Sequence, residues 1–297
     1  MTVSANLQVR PATAADACQF VDLMNMHYAR RKTPAYFHWQ YMQPFEPTVL
    51  MCAFDGEQMC GMFGLKDRRL DNGLRVGQAI DMLIAPTWRR RGLFSTLAGQ
   101  AIEFFDGSFD LLCVFANPAG RDAVKSLGWR HAGTIRNLYL DGTGPVHGDV
   151  LADRLEQHLR RRFERTHEYR QWRFRKHPDY LYAALESEGS VAWAKIFIDP
   201  VTHRKYGDIV DILNPSDSPG TLRNSLFSAC EELLAQGVKG ITTWGMPGTV
   251  IRSAAESIGF QETNQERHFC VKVLDPALQH LTDLAHWDLV QADTEIY

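Results

Sequence analysis

Hydrophobic and polar positions alternate along the chain in a regular order of short strands and helices. Leu7–Arg10 reads as a short strand, ended by Pro11. Thr13 or Asp16 can cap the helix that follows, whose apolar face holds Phe20, Leu23 and Met24. Thr48–Phe54 and Met59–Leu65 form a hairpin pattern around Asp55-Gly56, and Val76–Ile84 is a further strand stopped at Pro86. Gly92–Phe105 has helical spacing at Leu93, Leu97, Ile102 and Phe105. Phe109–Phe115 predicts a buried strand, Ala119–Leu127 a helix ending at Gly128, and Ala132–Leu140 a last strand.

The order then repeats. Tyr36-Phe-His-Trp39-Gln-Tyr41 is echoed by Tyr169-Arg-Gln-Trp172-Arg-Phe174, and Asp81-Met-Leu-Ile-Ala-Pro86 by Val210-Asp-Ile-Leu-Asn-Pro215. Ser126-Leu-Gly-Trp129 is echoed by Ser257-Ile-Gly-Phe260. The distance from Pro86 to Pro118 equals that from Pro215 to Pro247, and the copies stay offset by 129 to 133 residues. Several matches in one register predict two copies of one α/β unit, residues 1–145 and 146–297, joined at the turn-rich Asp141-Gly-Thr-Gly-Pro145. The recurrence of Trp39 and Trp172 at matching positions favours packing over binding.

Composition narrows the class. At 297 residues, 45% hydrophobic and 23% charged, the chain is long enough for two globular domains. Lys+Arg 32 against Asp+Glu 35 gives a net charge of −3, which argues against nucleic acid as a main partner. Nine Lys/Arg against three Glu between Arg154 and Lys176 would suit phosphates, but they equally suit a solvated helix face. No apolar run approaches the ~20 residues of a membrane span, so no membrane partner is expected. The start lacks the basic, then apolar, pattern of a secretory signal. Six scattered cysteines without a Cys-x-x-Cys pair, and histidines at no metal-ligand spacing, predict reduced core thiols, a cytoplasmic location and no metal.

The chemistry concentrates in Gln78–Leu97, a strand, a basic turn and a helix. Arg89-Arg90-Arg91-Gly92 stands where the helix begins. Its first N–H groups have no intrahelical partner, and they combine with the positive end of the dipole into an anion site. Gly92 admits close approach of a phosphate, and the arginines add charge. A diphosphate is the natural guest. Neither the G-x-x-x-x-G-K-[ST] loop nor a G-x-G-x-x-G follows a strand, so ATP and NAD lack their signatures.

Met82-Leu-Ile84, Pro86 and Arg89-Arg-Arg-Gly92-Leu-Phe94 resemble motif A of the GNAT superfamily of acyl-CoA-dependent N-acyltransferases, [QR]-x-x-G-x-[GA]. Asn117-Pro-Ala119 through Ser126-Leu-Gly-Trp129 is similar to the motif that follows it, and the resemblance covers the first copy whole and the second more weakly. It implies an α/β (α+β) fold of two tandem units, each a mixed, largely antiparallel twisted sheet flanked by helices. It implies acetyl-CoA as donor, with pantetheine against the backbone of Leu83 and Ile84, the pyrophosphate on the N–H groups of Arg90, Arg91, Gly92, Leu93, Phe94 and Ser95 beside Arg89, and Asn117 alongside. The acceptor would be a small-molecule amine, an amino sugar among the candidates, attacking the thioester directly in a ternary complex. Asp81, at a strand bulge, would be the base, directly or through water; a carboxylate in a strand-end hydrogen-bond network is the competing reading.

Two positions depart from the family pattern. Phe94 stands where Gly or Ala is usual, and Val124 stands where the family's tyrosine general acid is expected. In the second copy the basic turn is gone, with Asp217 in its place, which implies a degenerate unit serving structure or acceptor contacts. The tail His286–Tyr297 is similar to tails of tandem GNAT proteins of surface-polysaccharide synthesis, and either docks or helps hold an acceptor. Three functions compete: an N-acetyltransferase, an aminoacyl-transferase of the tandem-GNAT type, and a non-catalytic acyl-CoA-binding protein. The oligomeric state is left open.

Overall fold

The computed structural model describes residues 7–28, 31–145, 160–200, 202–214 and 218–295. They form two compact units that are not contiguous in sequence. The first takes residues up to His131, then Glu164–Asp179 and Cys270–Thr282; the second takes Ala132–Phe163, Tyr180–Phe269 and Asp283 onward. Residues 154–159 of the basic stretch, and Pro215 and Asp217 of the second copy, lie outside the described residues.

In the first unit, β1 (Leu7–Pro11), β2 (Thr48–Asp55), β3 (Gln58–Arg69) and β4 (Arg75–Ile84) are antiparallel neighbours, and β5 (Leu111–Ala116) joins β4 in parallel. The sheet is thus mixed and largely antiparallel, as expected. Its side chains alternate between two cores. Val49, Met51, Ala53 and Leu65 pack under Leu93, Leu97 and Ala101 of α3 (Leu93–Phe104) and Val124 of α4 (Pro118–Lys125). Leu50, Cys52, Phe54 and Met62 face Phe20, Leu23 and Met24 of α1 (Ala17–His27) and Tyr36 and Phe37 of α2 (Pro34–Phe37). This period-two division between faces is what the strand pattern encoded. The strand β3 runs four residues past the predicted end at Leu65. Its extension, Lys66-Asp67-Arg68-Arg69, is polar, yet Lys66 and Arg68 are buried beside Glu46 and Gln78. Charge hid a strand that ion pairing makes possible.

A π-helical turn, His38–Met42, follows α2, and another, Gln171–Arg175, follows α5 (His167–Arg170). Trp39 and Trp172 lie in these turns, stacked at 4.1 Å and 9° within the first unit. Each indole N–H is used: Trp39 Nε1 donates to the Trp172 carbonyl and Trp172 Nε1 to that of Gln43. Both tryptophans are packing groups.

In the second unit the strand order is β11 (Gln261–Val273), β6 (Arg130–Asp141), β10 (Gly240–Thr243), β9 (Lys205–Leu213), β8 (Ser190–Ile198) and β7 (Tyr182–Ser187). Its core joins Leu138, Ile209 and Ile241 to Leu226 and Leu233 of α6 (Pro219–Ala235) and Ala255 of α7 (Val250–Ser257). The last residues of β11, from Cys270, belong to the first unit, and nearly all of β6 belongs to the second.

Candidate functional site

The site begins with a register fault. Antiparallel pairing of β3 with β4 shifts between Met62 and Gly64, so that Asp81 and Met82 occupy one extra position opposite Phe63. Asp81 accommodates this at φ +43, a left-handed conformation uncommon for a residue with a side chain. Gly64 makes room. A Cβ there would lie 2.8 Å from Ile80 Cγ1 and 2.9 Å from the Tyr41 hydroxyl. Through that gap Tyr41 donates to Asp81 Oδ2 at 2.7 Å, and Tyr36 donates to the same oxygen at 3.2 Å. Two phenols therefore fix the half-buried carboxylate by one oxygen.

The bulge also ends the pairing of β4 with β5. The parallel register runs from Val76↔Leu111 to Ala79↔Val114, while β4 continues to Ile84 and β5 to Ala116. Met82, Leu83 and Ile84 thus line an opening between two diverging strands. The far wall is the start of α4, where a Cβ on Gly120 would lie 3.9 Å from Met82 Cε.

At the end of β4, a 3-10 turn over Pro86–Trp88 leads into the three arginines. Arg89 Nε donates to the Ile84 carbonyl at 3.0 Å, and the Arg91 guanidinium lies 4.9 Å from the Trp88 ring centroid. Arg90 (φ +60) and Gly92 (φ +80) are both left-handed, so the turn curls its amides inward as anion-binding nests do. The first helical bond of α3 is Thr96 N–H to Gly92 C=O at 3.1 Å, which leaves the amides of Leu93, Phe94 and Ser95 ahead of the ladder. No heavy atom comes within 4 Å of a Cβ built on Gly92, so the approach to these amides is open. The Phe94 ring turns away onto Phe63, 5.6 Å between centroids, and does not cover them. The residues present fit a diphosphate.

Asn117 is the N-cap of α4; its Oδ1 accepts from Gly120 N–H at 2.8 Å. Val124 is fully buried in the core under α4. The fold thus places Asp81, Leu83, Ile84, Arg89–Ser95 and Asn117 around one strand opening of the first unit. Sequence reasoning missed Tyr36, Tyr41 and Tyr28 as site residues. Tyr28, just after α1, directs its hydroxyl to the Met82 carbonyl at 3.4 Å. A usable signal existed in the repeat: Tyr41 becomes Phe174 in the second copy and, with Pro86 aligned to Pro215, Asp81 becomes Val210, so the phenol and the carboxylate are lost together.

The second unit closes the same features. Its register shifts near Val210, and β9 pairs with β10 only at Gly207 and Asp208 before running on. The tail docks there: Trp287 and Leu289 are fully buried, and Gln291 Nε2 donates to Thr242 Oγ1 at 3.0 Å. The helix α6 opens with Pro219, and Ser218 Oγ accepts from Thr221 N–H at 3.4 Å. That side chain takes an amide which Gly92 leaves open in α3. Among the described residues, no cluster of His, Cys, Asp or Glu could hold a metal, and no helix is long and apolar enough to cross a membrane.

No protein-family model and no curated protein sequence matches the chain. Solved structures do. A GCN5-related N-acetyltransferase from Anabaena variabilis superposes with a TM-score of 0.63 at 10% identity, over 91% of this chain and 73% of the other. A tandem GNAT protein from the clavulanic acid biosynthesis pathway superposes at 0.54 and 15% identity, over 91% and 99%. This chain has the tandem GNAT fold. A fungal GCN5-related glucosamine N-acetyltransferase region, within a multi-domain β-N-acetylglucosaminidase, matches at 0.55 and 13% identity over 91% of this chain and 38% of that one. The bulged β4, its divergence from β5 and the glycine-opened α3 are thus set within a GNAT unit.

Proposed function

We propose that this protein is an N-acetyltransferase that carries acetyl from acetyl-CoA to the amine of a small molecule, working in the cytoplasm through its first unit alone. The observation that carries the reading is the contrast between the two helix starts: open at Gly92 after three arginines, capped by Ser218 and Pro219 in the second unit. The scatter of the six cysteines along the sequence, with no Cys-x-x-Cys pair, supports a reducing compartment.

Bound acetyl-CoA would supply an activated acyl thioester. The amides of Leu93 to Ser95 and the guanidinium groups of Arg90 and Arg91 would hold its diphosphate, and the backbone of Leu83 and Ile84 would receive the pantetheine arm. Asn117 would lie alongside, with its Oδ1 already engaged by Gly120 N–H. A backbone N–H near Leu83 would be the donor for a developing oxyanion. Asp81 Oδ1, opposite the oxygen held by Tyr36 and Tyr41, takes the proton of the attacking amine directly or through a water. The rest is positioning of two bound reactants. An amino sugar is a reasonable acceptor, supported by the glucosamine-acting region among the structural neighbours.

The buried Val124 favours a second reading, a non-catalytic acyl-CoA sensor. Titration of CoA by calorimetry should give one site per chain, and two equivalent sites would refute the single-unit assignment. Thiol release from acetyl-CoA with a panel of amines, amino sugars included, should show turnover. Binding without release for every amine would favour the sensor.

A further inference from the structure

The fold leaves a chemical gap. Breaking the C–S bond generates a thiolate whose ordinary pKa is about 8.5, so its departure at neutral pH is helped by a proton donor. The position from which the family supplies one is Val124, sealed in the core. The opening between β4 and β5 nevertheless has a phenol at its edge, from a different element. Tyr28 follows α1, and its backbone N–H closes that helix onto the Met24 carbonyl at 2.9 Å. The chain beyond is tied back, because Asn25 donates to the Lys32 carbonyl and accepts from Lys32 N–H, at 3.0 and 2.7 Å. The Tyr28 hydroxyl meets the Met82 carbonyl at 3.4 Å, inside the bulge. That is long for an O–H donor, so the proton is weakly held and can be redirected.

We propose that Tyr28 is the proton donor to the CoA sulfur, in place of the family's usual tyrosine; this rests on the acetyltransferase reading above. The acceptor nitrogen forms a bond to the acyl carbon and gives its proton to Asp81. The C–S bond breaks with its electron pair on sulfur, and Tyr28 gives that sulfur its proton. The phenolate regains a proton from Asp81 through water, and the products are the amide and CoA thiol. Burial, with the Asp81 charge adding to it and Arg89 opposing, raises the Tyr28 pKa above 10.0, which keeps the phenol protonated at working pH.

The test compares wild type with Tyr28→Phe in the full chain. Calorimetry with CoA and with desulfo-CoA, which has hydrogen in place of the thiol, reads the contact with sulfur without turnover. Wild type should prefer CoA by roughly three- to ten-fold, and Tyr28→Phe should bind both equally, with the desulfo-CoA affinity unchanged. In steady state, kcat should fall about a hundred-fold while KM for acetyl-CoA stays within about two-fold. The thermal midpoint should hold, since Tyr28 is more than a third exposed. Retained kcat, or a retained preference for CoA, in Tyr28→Phe would overturn the assignment of Tyr28 alone. Failure of wild type to bind either ligand would overturn the cofactor reading and this inference with it. Wild-type binding with no turnover would refute the transferase reading and the donor role together.

Discussion

Gly92→Asp tests the anion site most directly, because the structure separates its two effects. The first is backbone strain. Gly92 sits at φ +80, where a side chain costs about 1–2 kcal/mol. Asp at the start of a helix usually recovers about 1 kcal/mol by capping, but capping needs an extended residue, and this one is left-handed. A loss near 1–2 kcal/mol should lower the thermal midpoint by about 2–8 °C. The second effect is on the ligand. A Cβ here meets no protein atom within 4 Å, so the carboxylate enters the open space before the α3 amides. At about 5 Å and an effective dielectric of about 40–80, each pair of like charges costs roughly 1–2 kcal/mol, and a diphosphate presents about two. Displacement of one charge-assisted hydrogen bond adds about 1.5–3 kcal/mol. The CoA dissociation constant should therefore rise at least about three hundred-fold. Gly92→Ala is the control: similar strain, no charge, and a loss of about ten-fold or less. Calorimetry and thermal shift with and without CoA measure both effects. Wild-type affinity in Gly92→Asp would place the diphosphate elsewhere.

Other outcomes follow from the same geometry. Asp81→Asn should lower kcat by about 10²–10⁴-fold and leave CoA affinity within about two-fold; steady-state kinetics with calorimetry would detect unchanged turnover and so remove Asp81 from the mechanism. Gly64→Ala puts a Cβ into the space that the Tyr41 hydroxyl and Ile80 share, so it should cost about 1–3 kcal/mol in chemical denaturation and reduce kcat. The Asp16 carboxyl, hydrogen-bonded by the Arg10 guanidinium, has its pKa lowered to about 2. A depressed carboxyl stabilises the fold above its unfolded pKa and loses that contribution as pH falls from about 4 through 2. Thermal midpoints across that window should be less steep for Asp16→Asn; identical slopes would contradict the Asp16 contribution.

What was legible in the chain follows physical lines. Elements whose faces alternate cleanly, such as β2, were predictable, because burial on two sides writes itself into sequence. So was the basic turn, since Arg89–Gly92 combines charge with a glycine before a helical pattern. The π-helical turns were not, because His38–Met42 has no periodicity distinct from an α-helix. Nor were the phenols on Asp81: Tyr36 and Tyr41 stand 45 and 40 residues away in sequence, and only the bulge brings them to one oxygen. Division of the chain at 145 and 146 rested on the period of the repeat. Period reports the ancestry of segments, whereas the compact units report which segments pack together, and the exchange of β6 for the end of β11 leaves the period untouched.

That exchange has a consequence for how the protein is made. The first unit holds nearly everything up to His131, yet its outer neighbour to β5 is the end of β11, from Cys270, which the ribosome delivers about 140 residues later. At roughly 5–20 residues per second, the nascent chain waits some 7–30 s with β5 as a bare strand edge. Emergence of the segment from Cys270, not of the candidate-site segment, then marks the moment at which the first unit can complete its sheet. Any gene fragment stopping near residue 145 would inherit that open edge permanently, and should be recovered as aggregate rather than as a small folded domain.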